Sequence, residues 1–92
     1  MENKEIKVSL GIPVFNESLF LKDTIESLLS QSHSKIEIIA IDNCSSDNSY
    51  EILKKYSKKD KRLKVFRNKI NIGLSNNFNL LVEKSSGEYF CW

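Results

Sequence analysis

Proline, glycine, cysteine and histidine are all scarce in this sequence of 92 residues, which contains one, three, two and one of them. The two cysteines, Cys44 and Cys91, have neither a CxxC nor a metal-ligand spacing, and we interpret them as reduced thiols. His33, the only histidine, falls in a turn between a predicted helix and a predicted strand, where we expect no catalytic role. No internal repeat and no low-complexity linker divides the chain.

Long apolar runs and a strong excess of one charge are absent as well. No stretch approaches the roughly 20 apolar residues that a membrane-spanning helix needs, and residues 1–7 lack the apolar region of a signal peptide. The net charge of +2 is too small to favour a nucleic-acid partner. We interpret the basic cluster at 54–62 as a solvated helix face. The sequence therefore predicts a cytoplasmic protein, whose membrane association would depend on parts outside this chain.

The composition that is present is that of an ordinary globular protein. Hydrophobic residues make up 40% of the chain and charged residues 28%, which excludes a disordered segment. A chain of this length buries only about 60–65% of its unfolded surface. The length therefore fits one small domain or part of a larger one.

The apolar residues alternate between the two-residue period of strands and the 3.6-residue period of helices. Strands are predicted at 7–12, 36–41, 63–66 and 88–92, and Pro13 is expected to end the first of them. Helices are predicted at 18–31 and around 74–82, where Gly87 is expected to end the third helix. The second helix is predicted to begin at Asn48, which forms a capping box with Glu51. The apolar face of the third predicted helix consists of Leu74, Phe78, Leu81 and Val82.

This alternation has the order βαβαβαβ, which favours a parallel sheet with right-handed crossovers. The predicted fold class is therefore α/β: a three-layer, Rossmann-like sandwich with a mainly parallel sheet. In such sheets ligands bind beyond the carboxyl ends of the strands. Three loops occupy that position here, at 13–17, 42–47 and 68–73.

The three loops contain no glycine-rich phosphate motif. The absence of GxGxxG disfavours a dinucleotide on a glycine turn, and the absence of GxxxxGK[ST] excludes a P-loop. Phe15 could instead stack on a planar base, while Asp42 and Asn43 could accept hydrogen bonds from a base or a ribose. Glu17 lies near a helix start, where the helix dipole favours a carboxylate. The loops predict a ligand site without naming its ligand.

Four strings, in order, resemble the opening motifs of the family 2 glycosyltransferases, which have the GT-A fold: SLGIPVFNE, IIAIDNCSSDNS, NIGLSNN and SSGEYFCW. The family pattern is P-x-[YF]-N-E, D-[DN]-x-S-x-D after the second strand, N-x-G, and G-[EK]-Y. The resemblance covers residues 7–92 and implies a nucleotide-diphospho-sugar donor, with a UDP-sugar expected. It places seven residues around the nucleotide: Pro13, Phe15, Glu17, Asp42, Asn43, Asn71 and Gly73. Asp47 is expected to cap the following helix instead.

The resemblance also implies a reaction for the whole protein. Members transfer a sugar to an acceptor hydroxyl with inversion, here for bacterial cell-surface polysaccharide or glycolipid synthesis. A carboxylate acts as general base and a divalent metal, Mg²⁺ or Mn²⁺, stabilises the leaving diphosphate. The metal-binding D-x-D motif follows the EYFCW strand in the family, and so it is expected beyond Trp92. Residues 1–92 are thus interpreted as an N-terminal nucleotide-binding part that is inactive alone, without catalytic or metal-binding residues.

Two departures from the family pattern and two alternatives stand beside this interpretation. Asn43 replaces the second acid of the pair, which weakens the expectation of a uracil base. Phe78 replaces an arginine that many members carry. A non-catalytic α/β module could self-associate through an open sheet edge. A phosphoacceptor receiver domain is disfavoured, because the acidic residues it needs after the first and third strands are missing.

Overall fold

The computed structural model describes residues 8–30, 36–85 and 88–91 of the chain. Its elements are β1 (Val8–Val14), α1 (Ser18–Leu29), β2 (Ile36–Asp42), α2 (Ser49–Lys59), β3 (Leu63–Arg67), α3 (Leu74–Lys84) and β4 (Glu88–Cys91). The predicted order βαβαβαβ is confirmed. The predictions for His33, for Gly87 and for the end of the last strand at residue 92 lie outside the described residues. No helix in the described ranges is both long and apolar enough to cross a membrane.

The four strands form one sheet in the order β3-β2-β1-β4, and every pairing is parallel. Val14, Asp42 and Arg67 lie side by side in the register, so the first three strands end at the same edge. The chain passes from β1 outward to β3 and then returns past β1 to β4. At such a reversal the connections diverge to opposite faces of the sheet and leave a crevice beyond the strand ends.

Helices cover both faces of the sheet, as the three-layer prediction requires. On one face α1 and α2 pack through Leu21, Ile25, Leu28 and Leu53. On the other face α3 packs through Leu81 against Ile39 and Ile41 of β2. Leu21, Ile25 and Leu28 are the buried residues of α1, and their spacing places them on one face of the helix. Right-handed crossovers explain the division, since a connection that runs in the reverse direction must cross the opposite face.

Strand β2 lies between these layers, and all seven of its residues are buried. Its apolar run follows from burial on both faces, with Glu37 as the exception at 2% exposure. The Ser9 hydroxyl donates to one Glu37 carboxylate oxygen (2.7 Å) and the Lys64 ammonium to the other (2.7 Å). A carboxylate is tolerated there because neighbouring strands supply a donor and a cation.

The prediction that Pro13 ends the first strand is wrong, because β1 continues to Val14. The N–H of Asn43 donates to the Val14 carbonyl, which shows that Val14 directs its backbone groups toward β2. Successive residues of a strand alternate, so the backbone of Pro13 faces the β4 side. There the described pairing stops at Gly11, opposite Cys91. The missing N–H of Pro13 therefore breaks no bond of the described sheet.

The predicted apolar face of α3 is also partly wrong. Leu81 is buried, but Leu74, Phe78 and Val82 are 71%, 36% and 43% exposed. The second buried residue of the helix is Asn77, one turn before Leu81. The helix is rotated about its axis so that this amide contacts the sheet, because its Nδ2 donates to the Ile41 carbonyl (3.2 Å).

Candidate functional site

A cleft of about 370 Å³ opens at the carboxyl ends of β1 and β2, beside the first turn of α3. It is lined by Pro13, Val14, Phe15, Glu17, Asn43, Asn71, Gly73, Leu74 and Asn77. All three predicted ligand loops lead away from this edge of the sheet, and the first and third of them line the cleft together with Asn43 of the second. The cleft therefore lies where an open parallel sheet places its ligands.

Six of the seven predicted nucleotide-binding residues line this cleft: Pro13, Phe15, Glu17, Asn43, Asn71 and Gly73. The ring of Phe15 is 47% exposed there. A half-exposed aromatic ring beside a proline offers an apolar surface for a planar group. The cleft thus brings together residues that are up to 60 positions apart in the sequence.

Asp42, the seventh, does not line the cleft. Its side chain is fully buried, accepting hydrogen bonds from the N–H (2.9 Å) and hydroxyl (2.5 Å) of Ser45. The guanidinium of Arg67 lies 3.6 Å from the same carboxylate. Strand alternation directs Asp42 to the face of α1 and α2, with Ile38 and Ala40. Asp42 therefore organises the loop after β2, on the side of the sheet away from the cleft.

Asn43 points the other way, to the face of α3, and its side chain is held by the loop between β3 and α3. Its Nδ2 group donates to the Asn71 Oδ1 (3.0 Å) and to the Gly73 carbonyl (3.4 Å). Its Oδ1 accepts from the Asn68 Nδ2 (3.1 Å) and from the N–H of Ile72 (3.0 Å). Asn43 therefore ties the end of β2 to the third loop.

Two further asparagines complete this arrangement, and sequence reasoning missed their part in it. The Asn68 Nδ2 also donates to the Asn77 Oδ1 (2.9 Å), which links the third loop to α3. Asn77 is 1% exposed and bonds to the Ile41 carbonyl. The available signal was the run of asparagines in a helix, where Asn is a poor helix former. An asparagine in the interior of a helix indicates that its side chain makes a hydrogen bond.

The turn into α3 depends on glycine. Gly73 has φ +85° and ψ 159°, a conformation that residues with a side chain rarely adopt. Its N–H donates to the Asn71 Oδ1 (2.8 Å) and its carbonyl accepts the N–H of Asn77. No side-chain cap bonds the first N–H groups of α3, which begin at the cleft. These groups and the helix dipole favour an anion there.

Asn16 joins the first ligand loop to the second. Its φ of +51° is in the left-handed region, which Asn tolerates better than most residues. Its N–H donates to the Ser45 hydroxyl (2.9 Å) and its Oδ1 accepts the N–H of Ser46 (2.8 Å). Cys44, a free thiol with φ +67°, bonds through Sγ to the Lys69 carbonyl (3.4 Å). The three loops are thus connected to one another by hydrogen bonds.

Two carboxylates lie beside these loops and have opposite pKa shifts. Asp47 accepts bonds from the hydroxyl (2.6 Å) and N–H (3.0 Å) of Ser49, and chiefly the hydroxyl lowers its pKa to about 2. The predicted cap of α2 by Asp47 is therefore confirmed. The capping box at Asn48 is wrong, because the Asn48 side chain makes no cap bond. Burial, with a smaller effect of Asp47, raises the pKa of Glu17.

The described residues do not provide a metal centre. Within ranges 8–30, 36–85 and 88–91, no group of three or more His, Cys, Asp or Glu side chains could hold a metal ion. Glu17 is the only carboxylate among the residues that line the cleft described above. One carboxylate is too few for the oxygen-rich coordination that Mg²⁺ or Mn²⁺ requires.

The comparison with protein families gives one match over nearly the whole chain. The family described as Glycosyl transferase family 2 matches residues 9–92. A protein of Rickettsia bellii named as an uncharacterized glycosyltransferase is 39% identical over 89 residues, which are 97% of this chain and 13% of that protein. A Bacillus subtilis protein, provisionally named teichuronic acid biosynthesis glycosyltransferase TuaG, is 36% identical over 97% of this chain. The chain spans 35% of its length.

Solved structures show the same fold. S. aureus TarS (residues 1–349), in complex with UDP-GlcNAc, is 27% identical, with a TM-score of 0.84. The match covers 94% of this chain and 26% of that TarS chain. A mannosyltransferase of Pyrobaculum calidifontis, in complex with GDP-Man and Mn²⁺, has a TM-score of 0.82 at 16% identity. This match covers 91% of this chain and 26% of the mannosyltransferase chain, and it supports the fold alone. The predicted GT-A, Rossmann-like α/β fold is confirmed.

Proposed function

Because this chain belongs to glycosyl transferase family 2, we propose that its cleft binds the nucleotide of a nucleotide-diphospho-sugar donor. The observation that carries the proposal is that the cleft is built by the loops which contain the family motifs. Phe15, Asn43 and Gly73 belong to three different motifs and line one cavity. The TarS structure adds support, since that relative holds UDP-GlcNAc on a similar fold.

The base of the nucleotide would lie on Phe15. Its half-exposed ring, with Pro13 beside it, forms the apolar part of the cleft. A base presents a flat π surface, and stacking on an aromatic ring contributes about 1–3 kcal/mol per base. Burial of this ring by the base also removes apolar surface from water.

The diphosphate would lie toward the first turn of α3. Gly73 and Leu74 line the cleft there, and the first N–H groups of α3 have no side-chain cap. These N–H groups and the positive end of the helix dipole favour phosphate oxygens. Glu17 lines the cleft from the first loop, where an ionised carboxylate would repel a diphosphate and accept bonds from hydroxyl groups. We therefore place the ribose, and not the diphosphate, near Glu17.

For the whole protein we propose transfer of the sugar to an acceptor hydroxyl with inversion of the anomeric centre. The described residues supply the donor cleft only, and neither a general base nor metal ligands are assigned to them. A divalent ion would be held by other residues of the protein, where it would stabilise the leaving diphosphate. On its own, residues 1–92 should bind a nucleotide without turnover.

We further propose that the product is a bacterial cell-surface polysaccharide or glycolipid, and that the donor is a UDP-sugar. TuaG and TarS support this, the first by its name and the second by the UDP-GlcNAc that it binds. The free thiol of Cys44 agrees with a cytoplasmic setting. Self-association through the sheet edge at β3 is not favoured, because Lys64 and Arg67 place exposed charges along that strand.

A calorimetric titration of UDP into the protein, with and without Mn²⁺, tests the donor cleft. We expect measurable binding that Phe15→Ala weakens by about tenfold, because the stacking surface is lost. Phe20→Ala is the matched control, since Phe20 is 73% exposed and does not line this cleft. Absence of UDP binding under both metal conditions, or an equal effect of the two substitutions, would contradict the proposal.

A further inference from the structure

Four side-chain amides form a connected cluster in the wall of the cleft, which we call the asparagine network: Asn43, Asn68, Asn71 and Asn77. Asn43 contacts Asn71 and Asn68, and Asn68 contacts Asn77 in turn. The cluster joins three elements, since Asn43 follows β2, Asn68 and Asn71 lie in the loop after β3, and Asn77 lies in α3. Asn77 connects it to the sheet through the Ile41 carbonyl.

The hydrogen-bonding capacity of Asn43 is fully used by this network. A side-chain amide offers two N–H groups and one oxygen with two lone pairs. Both N–H groups are used, by the Asn71 Oδ1 and the Gly73 carbonyl. Both lone pairs are used as well, by the Asn68 Nδ2 and the N–H of Ile72. With Asn43 5% exposed, no donor or acceptor of its side chain remains for a base.

We infer that Asn43 does not read the base, and that Asn43, Asn68 and Asn77 are positioning residues which hold the third loop against the cleft. This inference rests on the proposed nucleotide site and deepens it. It removes base recognition from the position that the family pattern gives to an acid. Asn68 gives the clearest test of positioning, because it does not line the cleft. Its side chain could affect nucleotide binding only through Asn43 and Asn77.

The consequence is that the described cleft discriminates only weakly between bases, so that any preference of the whole protein for a UDP-sugar would come from other residues. The loop that the network holds supplies Gly73 and the start of α3, which would contact the diphosphate that all donors share. The ring of Phe15 stacks on any base, because every base has a π surface. Asp42 is bonded to Ser45 on the other side of the sheet and reads nothing in the cleft. The protein should therefore bind UDP and GDP with affinities that differ by less than about fivefold, because stacking tolerates any base.

Titrations of UDP and GDP into the wild type, Asn43→Ala and Asn68→Ala test this inference. We expect each substitution to weaken both nucleotides by about tenfold, because the loop loses at least one buried bond. The ratio of the two affinities should stay within about twofold of the wild-type ratio, since stacking does not depend on the network. A base-reading role would instead change this ratio, by more than about fivefold for a lost bidentate contact.

The affinity of the double variant Asn43→Ala, Asn68→Ala shows whether the two residues act as one unit or make independent contributions to binding. If the network acts as a unit, the double variant should bind UDP about as weakly as either single variant. Losses that multiply, or wild-type affinity in Asn68→Ala, would overturn the inference. Leu81→Val is the control for general destabilisation, because it thins the core beneath α3 and should lower stability without changing either affinity.

Hydrogen exchange without nucleotide supplies a readout that does not depend on the donor site. The N–H of Ile72 donates to the Asn43 Oδ1, and it should exchange faster in Asn43→Ala and in Asn68→Ala. Exchange at Ser57, on α2, should stay unchanged. Unchanged exchange at Ile72 in Asn43→Ala would overturn the positioning role. Failure of the wild type to bind UDP and GDP, with faster exchange at Ile72, would refute the nucleotide site and leave the loop-positioning role standing.

Discussion

The carboxylate of Asp47 accepts a hydrogen bond from the N–H of Ser18, the first residue of α1 and 29 positions earlier in the chain (3.2 Å). Its other oxygen accepts the N–H of Ser49, the first residue of α2. One side chain thus bonds to the amino ends of two helices. Both helices begin directly after ligand loops, so Asp47 contributes to the shape of the cleft edge without lining it.

Substitution of Asp47 tests this double cap through the pH dependence of stability. Its folded pKa of about 2 lies below the reference value of 3.8, so ionisation favours the folded state above about pH 4. That contribution is lost as the pH falls from about 4 to 2. Asp47→Asn should therefore be less stable than the wild type at pH 7, with a difference that shrinks toward pH 2. Urea unfolding at several pH values measures it, and a difference constant from pH 7 to 2 would contradict it.

Glu17 should affect the pH dependence of stability in the direction opposite to Asp47. Partial burial, with a smaller effect of Asp47, raises its folded pKa above the reference value of 4.5, so the folded state favours the protonated form. The contribution to stability is present below pH 4.5 and is lost as the pH rises through the raised value. Glu17→Gln should therefore gain stability relative to the wild type as the pH rises from 4 to 8. Glu51→Gln, on the exposed first turn of α2, is the control. A wild type that gains stability relative to Glu17→Gln as the pH rises from 4 to 8 would refute this prediction.

Gly73→Ala should destabilise the turn into α3 by about 1–3 kcal/mol, the usual cost of a non-glycine residue in this conformation. The added Cβ would meet no atom within 4 Å, so backbone strain and not a clash is the cause. Chemical denaturation measures the loss, with Ser75→Ala in the same helical turn as the control. Equal stability of the two variants would show that the turn relaxes without cost.

The buried carboxylate of Glu37 predicts an unequal effect of two lysines. Lys64→Met removes a cation from Glu37, whose side chain is 3% exposed, and should cost about 1–2 kcal/mol after allowance for the half-exposed lysine. Lys61 is exposed and has no ion pair within the described residues. Lys61→Met should therefore change the free energy of unfolding by less than about 0.5 kcal/mol. Similar losses in the two variants would argue against the Glu37–Lys64 pair.

The order of elements and the location of the site could be predicted because both depend on local patterns. The run at 36–41 is apolar at nearly every position, which is typical of a strand covered on both faces. Loops that contain polar residues follow the predicted strands, and they begin at Pro13, Asp42 and Asn68. Since the carboxyl ends of parallel strands meet at one edge, six of the seven predicted residues line one cleft.

The direction of each side chain at that edge depends on packing. Asp42 and Asn43 are neighbours and point to opposite faces, because side chains alternate along a strand. The packing of α3 decides which of the two side chains points toward the cleft. This helix packs on the side of the sheet that carries Ile39 and Ile41. The sequence pattern treats the pair alike, whereas the structure directs Asp42 to Ser45 and Asn43 to the third loop.

The amino-acid sequence alone therefore determined the βαβαβαβ order, the family and the loops that carry the ligand site, because periodicity and motif spacing are local properties of the chain. The tertiary structure decided the strand order, the passage of β1 through Pro13 and the rotation of α3 that buries Asn77. It also decided that Asn43 is bonded on all sides. These features depend on contacts between residues such as Asn43 and Asn71, 28 positions apart, and only the folded chain brings such groups within hydrogen-bonding distance.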